Sequence, residues 1–98
     1  MAFRIRWTLP AANDYENLAT TIERDSDFIE SQKVTREIFE SVEGLVTHPH
    51  IGEKLEDYPT LRRRLVSGFK IIYQVLESES VVEITRILHE RQDLQTHL

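Results

Sequence analysis

The sequence predicts an α+β fold of order β-α-α-β-β-β, a helical hairpin packed on a small antiparallel sheet. Three patterns lead there. The start of the chain alternates apolar and charged residues, the middle repeats apolar residues at helical spacing, and from Leu61 the period is again that of strands.

In "FRIRW", Phe3, Ile5 and Trp7 alternate with Arg4 and Arg6, which predicts a first strand over residues 2–7 with one buried face. Thr8 is placed to cap a helix, and Pro10 falls in its first turn, where the missing N–H is not needed. Ala12, Tyr15, Leu18, Ala19 and Ile22 then form one helical stripe, with Asp14, Glu16 and Glu23 outside it. "RDSD" interrupts the pattern, and Ser26 or Asp27 can cap a second helix carrying Val34, Ile38, Val42 and Leu45. So short a joint makes the two helices an antiparallel hairpin. Pro49 and Gly52 end the helical pattern, and residues 48–60 read as a loop. "LRRRLV", "FKIIYQVLE" and "VVEITRILH", separated by "SG" and "SES", predict a three-stranded meander. The first strand makes the sheet four-stranded, with the helices across one side.

A chain of 98 residues is expected to form one domain, 1–98, with one core. The absence of cysteine excludes a disulfide scaffold and a thiolate zinc site, and fits a reducing compartment, the cytosol by default. Neither a secretory signal nor a membrane span is expected from the apolar runs. The net charge of -5 argues against nonspecific nucleic-acid binding. Its distribution is uneven: residues 1–60 carry 6 Lys and Arg against 12 Asp and Glu, and residues 61–98 carry 6 against 5. A local basic surface on an acidic protein suits a specific partner.

Three stretches resemble the RelE/ParE superfamily of bacterial type II toxins. They are "HPHIGEKLEDYPTLRRRLV", a P-x-x-G loop leading to an arginine-bearing strand; "GFKIIYQV"; and "VVEITRILHERQDL", a strand ending in Ile-Leu-His. The resemblance covers nearly the whole chain. It implies a bacterial cytoplasmic toxin of a toxin–antitoxin, or plasmid-stabilisation, module, neutralised by a cognate antitoxin with which it forms a hetero-oligomer. RelE-like members cleave messenger RNA on the ribosome, whereas ParE-like members poison DNA gyrase.

Metal-free RNA cleavage needs a group to activate the 2′-hydroxyl, a proton donor, and cations to stabilise the phosphorane. By resemblance, Arg63 and Lys70 stand where RelE-like members carry basic residues, and His89 and Arg91 complete the nuclease candidates. Yet no tyrosine follows Tyr73, and Glu90 is close to where that branch often has an arginine. The "ILHERQDL" ending is more like ParE, and the ParE-like branch is therefore expected: a noncatalytic gyrase inhibitor. The alternatives are a RelE-like mRNA endonuclease and a degenerate module that binds antitoxin without toxicity.

The candidate binding surface is Arg62, Arg63, Arg64, Lys70, Arg86 and Arg91. Alternation puts Arg62 and Arg64 on one face and Arg63 on the other, and an arginine facing the helices needs a partner. His89 reads as a hydrogen-bonded structural residue more readily than as a base, and Tyr73, Phe3 and Trp7 read as core. Glu37, Glu40 and Glu43 read as a solvated face. His48 and His50 flank Pro49 without a third ligand, so no metal or other cofactor is expected.

Overall fold

The computed structural model describes residues 2–25 and 27–97. The first strand, β1 (Arg4–Trp7), leads through Thr8 into α1 (Leu9–Asp25), and α2 (Phe28–Gly44) returns antiparallel to it. Thr8 joins these first two elements. Its hydroxyl accepts the Ala11 N–H at 3.2 Å as a helix cap and lies 3.0 and 2.9 Å from the carbonyls of Ile84 and Thr85, where β1 stops pairing. At the second helix Asp27 takes the capping role, its Oδ1 accepting from the Glu30 N–H at 2.8 Å. Ser26, the other expected cap, lies outside the described residues.

The chain continues as β2 (Glu53–Lys54), β3 (Arg62–Val66), β4 (Phe69–Leu76) and β5 (Val81–His89), ending in a 3-10 turn at Leu94–His97. The α+β class and the helical hairpin on a sheet are as expected. The sheet itself differs: it has five strands in the order β1-β5-β4-β3-β2, and β1 runs parallel to β5. A hairpin turn fixes the direction of a neighbouring strand, but Arg4 pairs opposite Val81, far along the chain, and no local turn sets that direction. The extra strand is the two-residue β2, inside the expected loop 48–60 and too short to show a period.

Ser67 and Gly68, with φ of 51° and 84°, make the two-residue turn between β3 and β4 whose left-handed pair matches strand twist. The Ser67 hydroxyl donates to Glu37 of α2 at 2.6 Å, tying that turn to the helices. A bulge breaks the β4–β5 register: Ile72 is opposite Arg86 and Tyr73 opposite Ile84, leaving Thr85 extra. The extra residue shifts the alternation so that Ile84 and Ile87 both reach the helix side.

The larger core lies between helices and sheet, with Ala11, Leu18, Val34, Ile38, Val42 and Leu45 against Ile71, Tyr73, Val82 and Ile84. A smaller cluster sits on the other face, where Leu61, Ile72, Leu88 and Leu94 meet Leu55 and Tyr58. The helix-free face is therefore only partly covered, by residues 55–61 and the final turn. Among the described residues no helix is long and apolar enough to cross a membrane.

Candidate functional site

Strand alternation divides the three arginines of β3. Arg62 and Arg64 stand opposite Tyr73 and Ile71, which face the helices, and Arg63 stands opposite Ile72 on the other side. Arg62 is used by the fold: its guanidinium donates to the carbonyls of His50 at 3.2 Å and Gly52 at 2.7 Å, holding the Pro49–Gly52 loop. Beneath it the buried Tyr73 hydroxyl accepts the Gly52 N–H at 2.8 Å. Burial raises the Tyr73 pKa, while the Gly52 bond and the charges of Arg62 and Arg64 act against that rise. The phenol is held neutral within the core. Gly52 is required by this contact, since a Cβ there would lie 2.7 Å from the Tyr73 oxygen and 2.8 Å from the Arg63 carbonyl. Arg64 is exposed and forms no ion pair among the described residues.

On the helix-free side, Arg63 is ion-paired to Glu53, its neighbour across β2 and β3. Its Nε is buried and has no hydrogen-bond partner among the described residues. Lys70 lies on the same face one pair further along, a diagonal neighbour within reach of long side chains. Both line a groove of about 220 Å³ floored by Leu55, Ile72 and Leu94. Tyr58, Glu56, Asp57, Asp93 and Gln95 complete its lining.

The other candidates are elsewhere. His89 is opposite Phe69 and stacks edge-on against its ring at 5.5 Å, on the helix side of the sheet. Its Nδ1 accepts the Arg91 N–H at 3.2 Å, and the Arg91 side chain is exposed in the turn beyond β5. Arg86 is enclosed: Nε and Nη2 donate to the two carboxylate oxygens of Asp14 at 2.7 and 2.8 Å, and Nη1 donates to the His97 carbonyl. Asp14 also accepts the Ile87 N–H at 2.9 Å, closing the edge of β5 that β1 leaves uncovered. The hydrogen bonds to Asp14 raise the Arg86 pKa against the opposing effect of burial. The sequence put Asp14 outside the apolar stripe of α1, and it is half-buried against β5 because Arg86 and Ile87 draw it there.

Of the nuclease candidates, the structure thus brings Arg63 and Lys70 together and separates them by the thickness of the sheet from His89. Of the binding candidates, Arg62 and Arg86 are engaged within the fold. The carboxylates of Glu53, Glu56, Asp57 and Asp93 were missed by sequence reasoning. The signal for the first three was the acidic "GEKLEDY" stretch shortly before the arginines, whereas Asp93 stands far from it in sequence.

A family model described as the ParE toxin of the type II toxin–antitoxin system, parDE, matches residues 5–94. The chain belongs to this family. It is a toxin of the ParE family, and its fold recurs in solved structures of ParE and RelE toxins. A chain of the chromosomal ParDE system from P. aeruginosa is 22% identical with a TM-score of 0.75, covering 89% of this chain and 95% of that one. A chain of a RelBE complex from Mycobacterium tuberculosis is 18% identical with a TM-score of 0.70, covering 92% and 100%. The isolated E. coli RelE toxin is 18% identical with a TM-score of 0.65, covering 99% and 94%. No curated protein matches the chain in sequence.

Proposed function

We propose that this toxin acts as its ParE relatives are expected to, by binding DNA gyrase without catalysis, stabilising a cleaved DNA–gyrase state until a cognate antitoxin covers it. The observation that carries this reading is the commitment of Arg63 to Glu53 on the one sheet face where a phosphate could meet Lys70. A carboxylate already occupying the guanidinium competes with a phosphodiester, and His89 is on the opposite face, unable to serve there as proton donor. Antitoxin as partner is supported by the family and by the ParDE and RelBE assemblies in which the structural relatives occur.

The second reading, a ribosome-dependent mRNA endonuclease, has its own observation: Arg63, Lys70 and Tyr58 line one groove, which would give two cations and one phenol. Purified gyrase supercoiling run beside in vitro translation with primer-extension mapping separates the two. Gyrase inhibition with linear DNA accumulating and intact messenger is the expected result. Codon-register cleavage with unaffected gyrase, abolished by Lys70→Ala, would overturn it in favour of the nuclease.

A further inference from the structure

The groove on the helix-free face has an apolar floor and an unbalanced rim. Leu55, Ile72 and Leu94 belong to the small cluster on that side and give the groove a surface for aliphatic groups. Glu56, Asp57 and Asp93 all line it, contributed by segments more than thirty residues apart in sequence. Among the described residues none of these three carboxylates is ion-paired; one oxygen of Asp93 accepts the Gln95 N–H at 3.0 Å, capping the final turn. Arg63 is paired with Glu53, so among the described residues Lys70 is the one groove-lining cation without an ion pair, against three carboxylates. The field in the groove is therefore negative, although its most conspicuous sequence feature is a run of arginines.

We infer that this groove docks a protein segment carrying a lysine or arginine flanked by aliphatic residues, the aliphatic groups on Leu55, Ile72 and Leu94 and the cation between Glu56, Asp57 and Asp93. A cavity of about 220 Å³ admits one or two side chains rather than a folded surface, which fits an extended or fraying segment of the partner. Charge complementarity selects against a nucleic-acid strand, whose phosphates would meet the same carboxylates. The inference concerns the chemistry of the occupant and holds whether the toxin's target is gyrase or the ribosome.

The test is an amide NMR titration of the whole chain with two blocked tetrapeptides, Leu-Arg-Leu-Arg and Leu-Glu-Leu-Glu, and with a uridine hexanucleotide. The basic peptide is expected to give saturable shifts centred on residues 55–58 and 93–95, the acidic peptide none. Combining Glu56→Gln, Asp57→Asn and Asp93→Asn should weaken the basic peptide about tenfold or more while leaving the remaining spectrum in place, since asparagine retains the cap. Saturable binding of the hexanucleotide or the acidic peptide in the groove would overturn the inference, as would an unsaturable response to the basic peptide.

Discussion

The two faces of the sheet are built by the same strands and do different work. On the helix side Ile71, Tyr73, Val82 and Ile84 are fully buried under the hairpin, and the Tyr73 hydroxyl accepts the Gly52 N–H. On the other side a four-residue apolar cluster is accompanied by Arg63, Lys70 and a set of carboxylates, several of them without an ion pair among the described residues. Alternation along a strand thus separates core packing from an exposed, charged surface at intervals of one residue. A substitution at Ile71 and one at Lys70 should then belong to different experiments.

The largest effect should come from the covered face. Ile38, fully buried on α2, loses its side-chain contacts in Ile38→Ala, and about 2–5 kcal/mol of unfolding free energy should go with them in a urea titration. Leu65, 54% exposed on the opposite face, should change stability by less than about 0.5 kcal/mol as Leu65→Ala. Similar losses at the two sites would break the comparison, because the helix-free face would then be core as well.

Two ion pairs sharpen it next. Arg86 and Asp14 are 19% and 16% exposed and share two hydrogen bonds, whereas Arg63 and Glu53 are 37% and 60% exposed. Asp14→Ala leaves a half-buried guanidinium unpaired and the Ile87 N–H without its acceptor, and should destabilise by about 3 kcal/mol. Glu53→Ala should cost about 0–1 kcal/mol. What Glu53→Ala should change instead is the charge of the groove. Thermal unfolding of both variants checks the ranking, and an equal loss at Glu53 would mean that the exposed pair is structural.

Gly52 stands where the two faces meet. Gly52→Ala forces a Cβ to within 2.9 Å of the Tyr73 ring and closer still to two oxygens, and should destabilise by about 1–3 kcal/mol. Adding Tyr73→Phe removes the hydroxyl oxygen but leaves the Arg63 carbonyl at 2.8 Å, so only part of the loss should return. Full recovery would locate all the strain at the hydroxyl.

These residues also show what was legible beforehand. Val34, Ile38, Val42 and Leu45 were read from helical spacing and are all buried, and the opposed faces of Arg62 and Arg63 followed from strand period alone. The parallel pairing of β1 was not legible, because it depends on where two helices deliver the chain and not on any turn. Nor was the bulge at Thr85, which shifts the phase of β5 and lets Arg86, nominally opposite Ile72, reach Asp14 over a free strand edge. The groove's charge was hidden for a related reason: the arginines are adjacent in sequence, while the carboxylates opposing them come from β2, the loop after it and the final turn.

The smallest expected effect lies at the far end of the helix-free face. Glu83 accepts from the Gln74 amide at 2.9 Å and from Arg6 at 2.9 and 3.1 Å, and these bonds hold its carboxyl below the ordinary glutamate range despite burial acting the other way. A carboxyl whose pKa is lower folded than unfolded stabilises the fold above its unfolded pKa, and that contribution disappears as pH falls through the folded one. Glu83→Gln should therefore reduce stability modestly at neutral pH and flatten the acid limb of the stability curve, so that the variant and the parent converge in strong acid. Urea midpoints measured from neutral to strongly acidic pH would show this convergence. Parallel curves would mean that the Arg6–Glu83–Gln74 network is a surface decoration with no part in acid stability.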